Sequence, residues 1–560
     1  MLFCDTINKN RGKRMNEVKI TFSDGTVKSY PKGTKYETIA SDFPGSYPYV
    51  GVKIDNVVFS LADEANEDAS IEFIDFLDPV GSKMYKCGLE FILEVALKEL
   101  YKDAEIFFLH SHPKGVYAEI VYNEVLSEED IKKIKSKMFS IINANKPIKK
   151  FNVTKKDAIK YYQEHGYEEK SSNIQNFAEN IVTFYIIDNY VNYFYTEMPN
   201  NTGIMKLYDI KYIGNNKIVI LLPNKFTNGR VPEYVKYDGI IGSFEEYQNW
   251  LNVVNKRFLC NINKDISNNE IRDFIDVSEI KFNEEIRKVV KDVMARDNVK
   301  FVMIAGPSSS GKTTTTKRLK TYFDSCGYDT IVISTDDYFV DRRNNPKDEN
   351  GNYDFECLHA VDIDRLNRDI KSLIEGKEVV LPIYDFVSGT GTQNGKRIKF
   401  TEKTIVLIEG LHSLNDDLVP VIPNYLKYKV YISPFIGVNI DRHNYISTTD
   451  LRLIRRIVRD NRVRGKKVED TISYWQKVRS GEVKYIFPYI HQADIVLNTA
   501  LNFEIGVLEV YAVPLLLSVG IDSPYYEEAR RLLNFLREFC PIPSEYVSKD
   551  SVLREFIGGE

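Results

Sequence analysis

Residues 301–319 read FVMIAGPSSSGKTTTTKRL. The first five, Phe301 to Ala305, are small or apolar and suit a buried strand. Gly306-Pro307-Ser308-Ser309-Ser310-Gly311-Lys312-Thr313 then matches G-x-x-x-x-G-K-[ST], and Thr314 and its successors continue as a helix. A strand before and a helix after give the setting in which this pattern holds phosphate. The glycines let the backbone curl so that successive N–H groups face phosphate oxygens. The helix start adds the positive end of its dipole. Lys312 is expected to reach β- and γ-phosphates, and the Thr313 hydroxyl to ligate Mg²⁺.

Downstream, residues 328–334 (YDTIVIS) form a β-branched strand that runs into Thr335-Asp336-Asp337-Tyr338-Phe339. Residues 404–410 (TIVLIEG) are a continuous apolar run closed by Glu409, the pattern of a fully buried parallel strand. Acids at the carboxyl ends of such strands fall where open α/β sheets do their chemistry. Glu409 reads as the acid that holds or orients Mg²⁺. A third cluster, LRLIRRIVRDNRVRGKKVED, carries Arg452, Arg455, Arg456, Arg459, Arg462, Arg464, Lys466 and Lys467. Following the P-loop and the acid, it reads as a helix and lid that close cations over a transferred phosphoryl group. A solvated basic helix face, or a nucleic-acid patch, is the plainer alternative. Arg456 and Arg459 share a helix face, and Arg464-Gly465-Lys466-Lys467 suits a hinged loop. No N-K-x-D follows the P-loop, which disfavours a GTPase.

The rest of the composition narrows the class. At 560 residues, with 43% hydrophobic, 28% charged and net charge −5, the chain is ordinary soluble globular material for several domains. No basic or acidic tail argues for nucleic acid. The six cysteines are scattered without a C-x-x-C, so neither zinc nor a disulfide framework is expected, and a reducing cytoplasm is the simplest compartment. No apolar run reaches membrane-spanning length. Residues 1–15 form an extension without a signal-peptide core, and Met15 is an alternative start.

The N-terminal half carries a resemblance. In 16–78, VKITF, the turn Asp24-Gly25 and TVKSY make a hairpin, and Ile71, Phe73 and Ile74 suit a closing strand. This pattern resembles the ubiquitin-like TGS domain, a β-grasp fold of threonyl-tRNA synthetases. Residues 80–235 resemble the α+β editing domain of those synthetases, with an amphipathic helix at 88–101 and a helix start at Ser127. The histidine and cysteine pairs of that family's pocket fall on Cys87, Phe91, Phe194 and Met198, so a degenerate site without hydrolysis or zinc is expected. His110 and His112 in FFLHSHPKG read as a polar loop, since no third metal ligand accompanies them. Residues 236–290 read as a helical connector and 501–560 as a helical segment that packs on the core. With no low-complexity linker, the halves are expected to pack firmly, and residues 270–560 alone to keep measurable kinase activity with reduced stability or altered assembly.

The second resemblance spans 300–500. GPSSSGKTT, ISTDDYF, YDFECLHAVDIDRL, LPIYDFVSG, IVLIEG, RRIVRDNRVRG and HQADIVLN stand in the order of the uridine kinase/phosphoribulokinase family, and uridine–cytidine kinases resemble them best. The resemblance implies a P-loop kinase domain over 291–500, a parallel sheet with helices on both faces, ATP and Mg²⁺. It implies Asp336 as general base on a nucleoside 5′-hydroxyl and as a neighbour of the metal held by Thr313 and Glu409. Glu356 corresponds to an Asp on the ribose hydroxyls. Tyr384 corresponds to a residue at the base, with Tyr338 also on the substrate side. Arg456 falls on the substrate side, and Arg459, Arg464 and Lys466 on the phosphates. Gly389 stands where the family has a base-contacting histidine. The expected activity is ATP-dependent phosphorylation of uridine or cytidine. A kinase for another hydroxyl acceptor is the alternative within the class, and an RNA- or ribosome-associated nucleotide switch the alternative outside it. A homo-oligomer, and RNA binding by the N-terminal half, stay open without support from charge.

Overall fold

The structure, a computed structural model, describes residues 17–112, 114–177, 179–349, 351–385 and 388–559. The extension 1–15, with Met15, lies outside them. Strand β1 (Glu17–Phe22) buries alternate residues Val18, Ile20 and Phe22, the period of a half-covered strand. It turns at Asp24-Gly25 into β2 (Val27–Pro31). Helix α1 (Tyr36–Ser41) and strands β3 (Gly51–Ile54), β4 (Val57–Phe59) and β5 (Ala69–Ile74) follow. The sheet order is β2-β1-β5-β3-β4, with β1 parallel to β5, over a core that includes Ile20, Ile39, Val52 and Ile71.

Asp78 caps α2 (Pro79–Leu100) by accepting the Val80 and Gly81 N–H groups, so the helix starts well before the expected Gly88. Strands β6 (Glu105–His112) and β7 (Gly115–Val121) come next. A Ser127/Asp130 capping box then opens α3 (Glu128–Asn143). β8 (Lys149–Thr154), α4 (Lys155–Glu164), α5 (Glu168–Gln175), β9 (Ile181–Ile187), β10 (Tyr190–Asn192), β11 (Asp209–Gly214) and β12 (Lys217–Leu221) complete this half. They form two sheets, β8-β9-β10 and β11-β12-β7-β6. FFLHSH is therefore strand rather than polar loop. His110 is buried with its ring stacked between Tyr117 and Phe244, which explains an imidazole there without a metal. Cys87, Phe91, Phe194 and Met198 meet in one apolar cluster, with the Phe91 and Phe194 rings 5.5 Å apart. The five described cysteines are free. Among the described residues no acid, cysteine or histidine group gathers as a metal cluster, and no helix is long and apolar enough to cross a membrane.

Helices α6 (Asp238–Val253), α7 (Leu259–Ser267) and α8 (Ile271–Met294) lead to a parallel sheet. Its strands are β13 (Phe301–Ala305), β14 (Asp329–Ser334), β15 (Thr404–Glu409), β16 (Lys427–Ser433) and β17 (Ile495–Asn498), in the order β14-β15-β13-β16-β17. Every pairing is parallel. β13, β15 and β16 are buried throughout, as strands covered on both faces must be. The P-loop leaves central β13 where the strand order reverses, the place at which open α/β sheets bind ligands. α9 (Lys312–Ser325), α10 (Ile363–Ile374), α11 (Thr448–Arg464), α12 (Val468–Tyr485), α13 (Glu504–Leu517) and α14 (Tyr526–Leu536) surround it. Leu251, Ile275 and Val290 share one core with Ile304, Leu407, Leu508 and Phe556. The stretch read as a connector and the closing segment are thus both integral to the kinase-like body.

The two halves interlock through the loop between β16 and α11. Asp441, fully buried, accepts a 2.6 Å bond from the Tyr193 hydroxyl and lies 3.5 Å from the Lys170 ammonium. Arg442 pairs with Glu169, and Asn439 donates to the Phe108 carbonyl at 2.7 Å. Burial pushes His443 well below its ordinary range, so it sits neutral against Asn192. Cutting the chain at 270 would strand these polar groups. Residues 270–560 alone are therefore expected to be less stable than the whole chain.

Candidate active site

The P-loop curls through two left-handed residues, Ser309 (φ +60) and Gly311 (φ +85). A Cβ at Gly306 would lie 2.4 Å from the Ile432 carbonyl oxygen, so only glycine fits there. Three of the loop's carbonyls are taken up by side chains. Arg452 Nε donates to Ser308 O at 2.9 Å, Arg455 Nη1 to Ser309 O at 3.4 Å and Thr499 Oγ1 to Ser310 O at 2.6 Å. Arg456 Nη1 reaches Ser308 Oγ at 2.8 Å. Anchoring these carbonyls holds the loop's curl, the conformation in which successive N–H groups can bind an anion. Lys312 Nζ rests on the carbonyls of Gly306 (2.9 Å) and Pro307 (3.2 Å), and Thr313 is exposed.

Arg452 and Arg455, expected on a lid, are instead interior clamps of the P-loop. Arg452 Nη1 bonds Glu482 at 3.1 Å, and Arg455 bonds Glu504 through Nε (2.8 Å) and Nη2 (2.6 Å). All four side chains are at most 2% exposed. The sequence hid this because the acids lie 30 and 49 residues away.

Arg456, expected on the substrate side, and Arg459 and Arg464, expected at the phosphates, are gathered by one carboxylate that motif reading passed over. Asp460, 0% exposed, lies 3.3 Å from Arg456, 3.0 Å from Arg459 and 3.3 Å from Arg464. Those three cations hold its carboxyl below the usual carboxylate range despite burial. Gly465 ends α11 in the left-handed region and α12 begins at Val468, so the hinged loop shrinks to residues 465–467. Lys466 lies there, half-buried near the Tyr474 ring, and burial lowers its pKa.

Three acids face these cations. Asp336 sits just past β14 and is exposed to solvent. Partial desolvation by the protein around it raises its pKa against the pull of Lys312, Arg464 and Arg459. Glu409, at the end of β15, is buried and accepts the Ser334 hydroxyl at 2.8 Å. Burial, with the neighbouring Asp336, pushes it up to about 7. Glu356 is pushed to about 7 by burial, opposed by Arg456 and Lys312. Gly481 on α12 makes room for it, since a Cβ there would meet the Glu356 Cβ at 2.7 Å. Beside it His412 is buried and lowered to about 4, hence neutral.

The tyrosines diverge. Tyr338 is 2% exposed, bonds Asp369 at 3.0 Å and packs in the apolar core against β14 and β15, so it is structural rather than a substrate contact. Tyr384 lies on a short hairpin of Ile383–Asp385 with Thr390–Thr392, its ring 5.7 Å from Phe339 and its N–H on Asp337. Across that hairpin Gly389 (φ +73) has Arg342 against it, 2.9 Å from where a Cβ would stand.

Residues 301–505 match the phosphoribulokinase/uridine kinase family. Uridine kinases of Staphylococcus aureus strains JH9 and Newman are each 29% identical over 198 residues, 35% of this chain and 86% of theirs. A solved structure titled as a possible uridine kinase from Bacillus stearothermophilus is 19% identical, covering 39% of this chain and all of that one, with a TM-score of 0.25. A D-glycerate 3-kinase from Cryptococcus neoformans is 13% identical over 46% of this chain and 86% of its own, with a TM-score of 0.20. The matched span takes in the P-loop, Asp336, Glu409 and the arginine helix, and the C-terminal part of the chain holds a P-loop kinase domain of the phosphoribulokinase/uridine kinase family.

Proposed function

We propose that this domain transfers the γ-phosphoryl group of ATP to the 5′-hydroxyl of a nucleoside, with uridine or cytidine as leading acceptor. The carrying observation is that Asp336 lies at a strand end under the influence of Lys312, Arg459 and Arg464. A nucleotide switch needs no base facing lid cations, whereas an in-line transfer needs both. Asp336 takes or orients the acceptor's proton, and Lys312, Arg459 and Arg464 offset charge on the transferring group. Glu356 and Tyr384 orient the acceptor, and Arg456 steadies Ser308 and the substrate side. Thr313 and Glu409, with Asp336 beside them, are the oxygens for Mg²⁺. The fit is chemical: a buried carboxyl raised to about 7 regains its charge beside a cation, and the ion supplies electrostatic stabilisation of the phosphates. Arg342 packed on Gly389 supports a second reading, in which the acceptor carries its own anionic group, as a phosphorylated sugar does. The relatives' printed activity, and the compartment in which free thiols persist, support a cytoplasmic salvage role. The test is a panel of nucleosides and phosphorylated sugars with purified protein, ATP and Mg²⁺. Uridine- or cytidine-dependent ADP release is expected, and release with no acceptor in the panel refutes the reading.

A further inference from the structure

Residues 544–558 run back across the first turn of α9, and they are docked there rather than lying loose. Val552, Leu553 and Phe556 are 0% exposed. The backbone is pinned by arginines. Arg462 donates to the carbonyls of Phe556 and Glu555 at 3.1 Å each, and Arg318 donates to Asp550 O at 2.8 Å. The Phe556 ring lies 4.8 Å from the Arg455 guanidinium that clamps the P-loop. Val552 Cγ2 would stand 2.6 Å from a Cβ on Gly311, so the segment rests directly on the last glycine of the loop.

This docking brings Glu555 to the P-loop helix. Its Oε2 accepts from the Thr314 backbone N–H at 3.3 Å and from the Thr314 hydroxyl at 3.2 Å. Thr314 is the third residue of α9, so its N–H is among those without a partner inside the helix. Backbone N–H groups of a P-loop and its helix start cradle the α- and β-phosphates of a bound nucleotide. A carboxylate on the same donors satisfies them as a phosphate oxygen would, and two anions cannot share them.

We propose that Glu555 is a resident competitor of the donor nucleotide: ATP gains the Thr314 donors only by displacing this carboxylate. The proposal rests on the donor-site reading above. Its regulatory content follows from linkage, because anything that draws residues 551–558 off the P-loop raises nucleotide affinity, and nucleotide in turn loosens the segment.

The test is Mg-ATP binding by calorimetry on the full chain, comparing wild type with Glu555→Gln, Glu555→Asp and Glu545→Gln. Glutamine removes the charge, aspartate keeps it but draws it back from Thr314, and Glu545 is an exposed glutamate of the same segment. An anion at a helix start accounts for roughly a twofold to thirtyfold change in an equilibrium. Glu555→Gln should tighten ATP binding within that range, Glu555→Asp should tighten it in the same direction, and Glu545→Gln should bind as wild type. Equal or weaker binding by both Glu555 variants, with wild type binding normally, overturns this proposal and leaves the kinase reading intact. Failure of every protein to bind Mg-ATP overturns the donor-site reading itself. The aspartate variant keeps the test decisive if the glutamine variant melts early.

Discussion

The Arg455–Glu504 pair offers the sharpest test of how the P-loop is held. Both side chains are 0% exposed, and the guanidinium also serves Ser309 O and Thr499 O. Glu504→Leu leaves a buried cation without its anion, a change that costs about 3–5 kcal/mol. Arg455→Met leaves a buried carboxylate and, in addition, the Thr499 carbonyl without its 2.9 Å donor, worth roughly 1–3 kcal/mol more. The double variant removes both charges. Replacing a buried pair by apolar groups is close to neutral, so only the orphaned Thr499 and Ser309 carbonyls remain, and the double should be more stable than either single. Urea denaturation should report a coupling of at least about 2 kcal/mol. Nucleotide affinity should not recover with stability, because Ser309 has lost its clamp. We expect the double variant to bind Mg-ATP about tenfold more weakly than wild type, equivalent to ~1.4 kcal/mol. Additive destabilisation would refute the ion-pair argument, and wild-type affinity in the double variant would refute the clamp.

Three further outcomes are expected. Lys312→Ala should lower turnover by at least roughly 10²–10³-fold with an unchanged circular dichroism spectrum, since it removes the cation at the phosphates, and near-normal turnover would contradict the proposed function. Asp336→Asn should lower kcat by about 10²–10⁴-fold while ATP binding persists; a collapse of ATP affinity at unchanged kcat would make Asp336 a metal ligand instead. Glu356 titrates near 7 in the folded chain, above its ordinary 4.5. A group raised by folding contributes stability that is complete below about 4.5 and lost as pH rises through 7. Thermal melts should therefore show wild type losing ground to Glu356→Gln between pH 5 and pH 8, by roughly 1–3 kcal/mol, and parallel profiles would show that Glu356 is not withdrawn from water.

Much of the kinase sheet and its site was legible because it is written in local patterns. Phe301–Ala305, the P-loop, Asp336 and Glu409 announce themselves through a strand, a glycine turn and an acid at a strand end. What the sequence concealed depends on pairs distant in the chain. Asp460 was one acid in a basic run until three arginines converged on it. Arg452 and Arg455 looked like surface cations because Glu482 and Glu504 are far away in sequence. Tyr338 shared the strand-end context of Asp336, yet its side chain turns into the core toward Asp369. Glu555 sits in no motif at all and reaches Thr314 across 241 positions.

The interlocking loop bears on how the chain is made. Residues near the N-terminus leave the ribosome first and fold as units where they can. Asn192 and Tyr193 meet His443 and Asp441 only 251 and 248 positions later. At about 5–20 residues per second, that separation corresponds to roughly 12–50 seconds of synthesis. During that interval Lys170, 1% exposed in the finished molecule, has no Asp441 beside it. The first half is thus born with a polar seam, Lys170, Glu169, Asn192 and Tyr193, that the second half closes, and its dependence on chaperones during translation should be set by that delay.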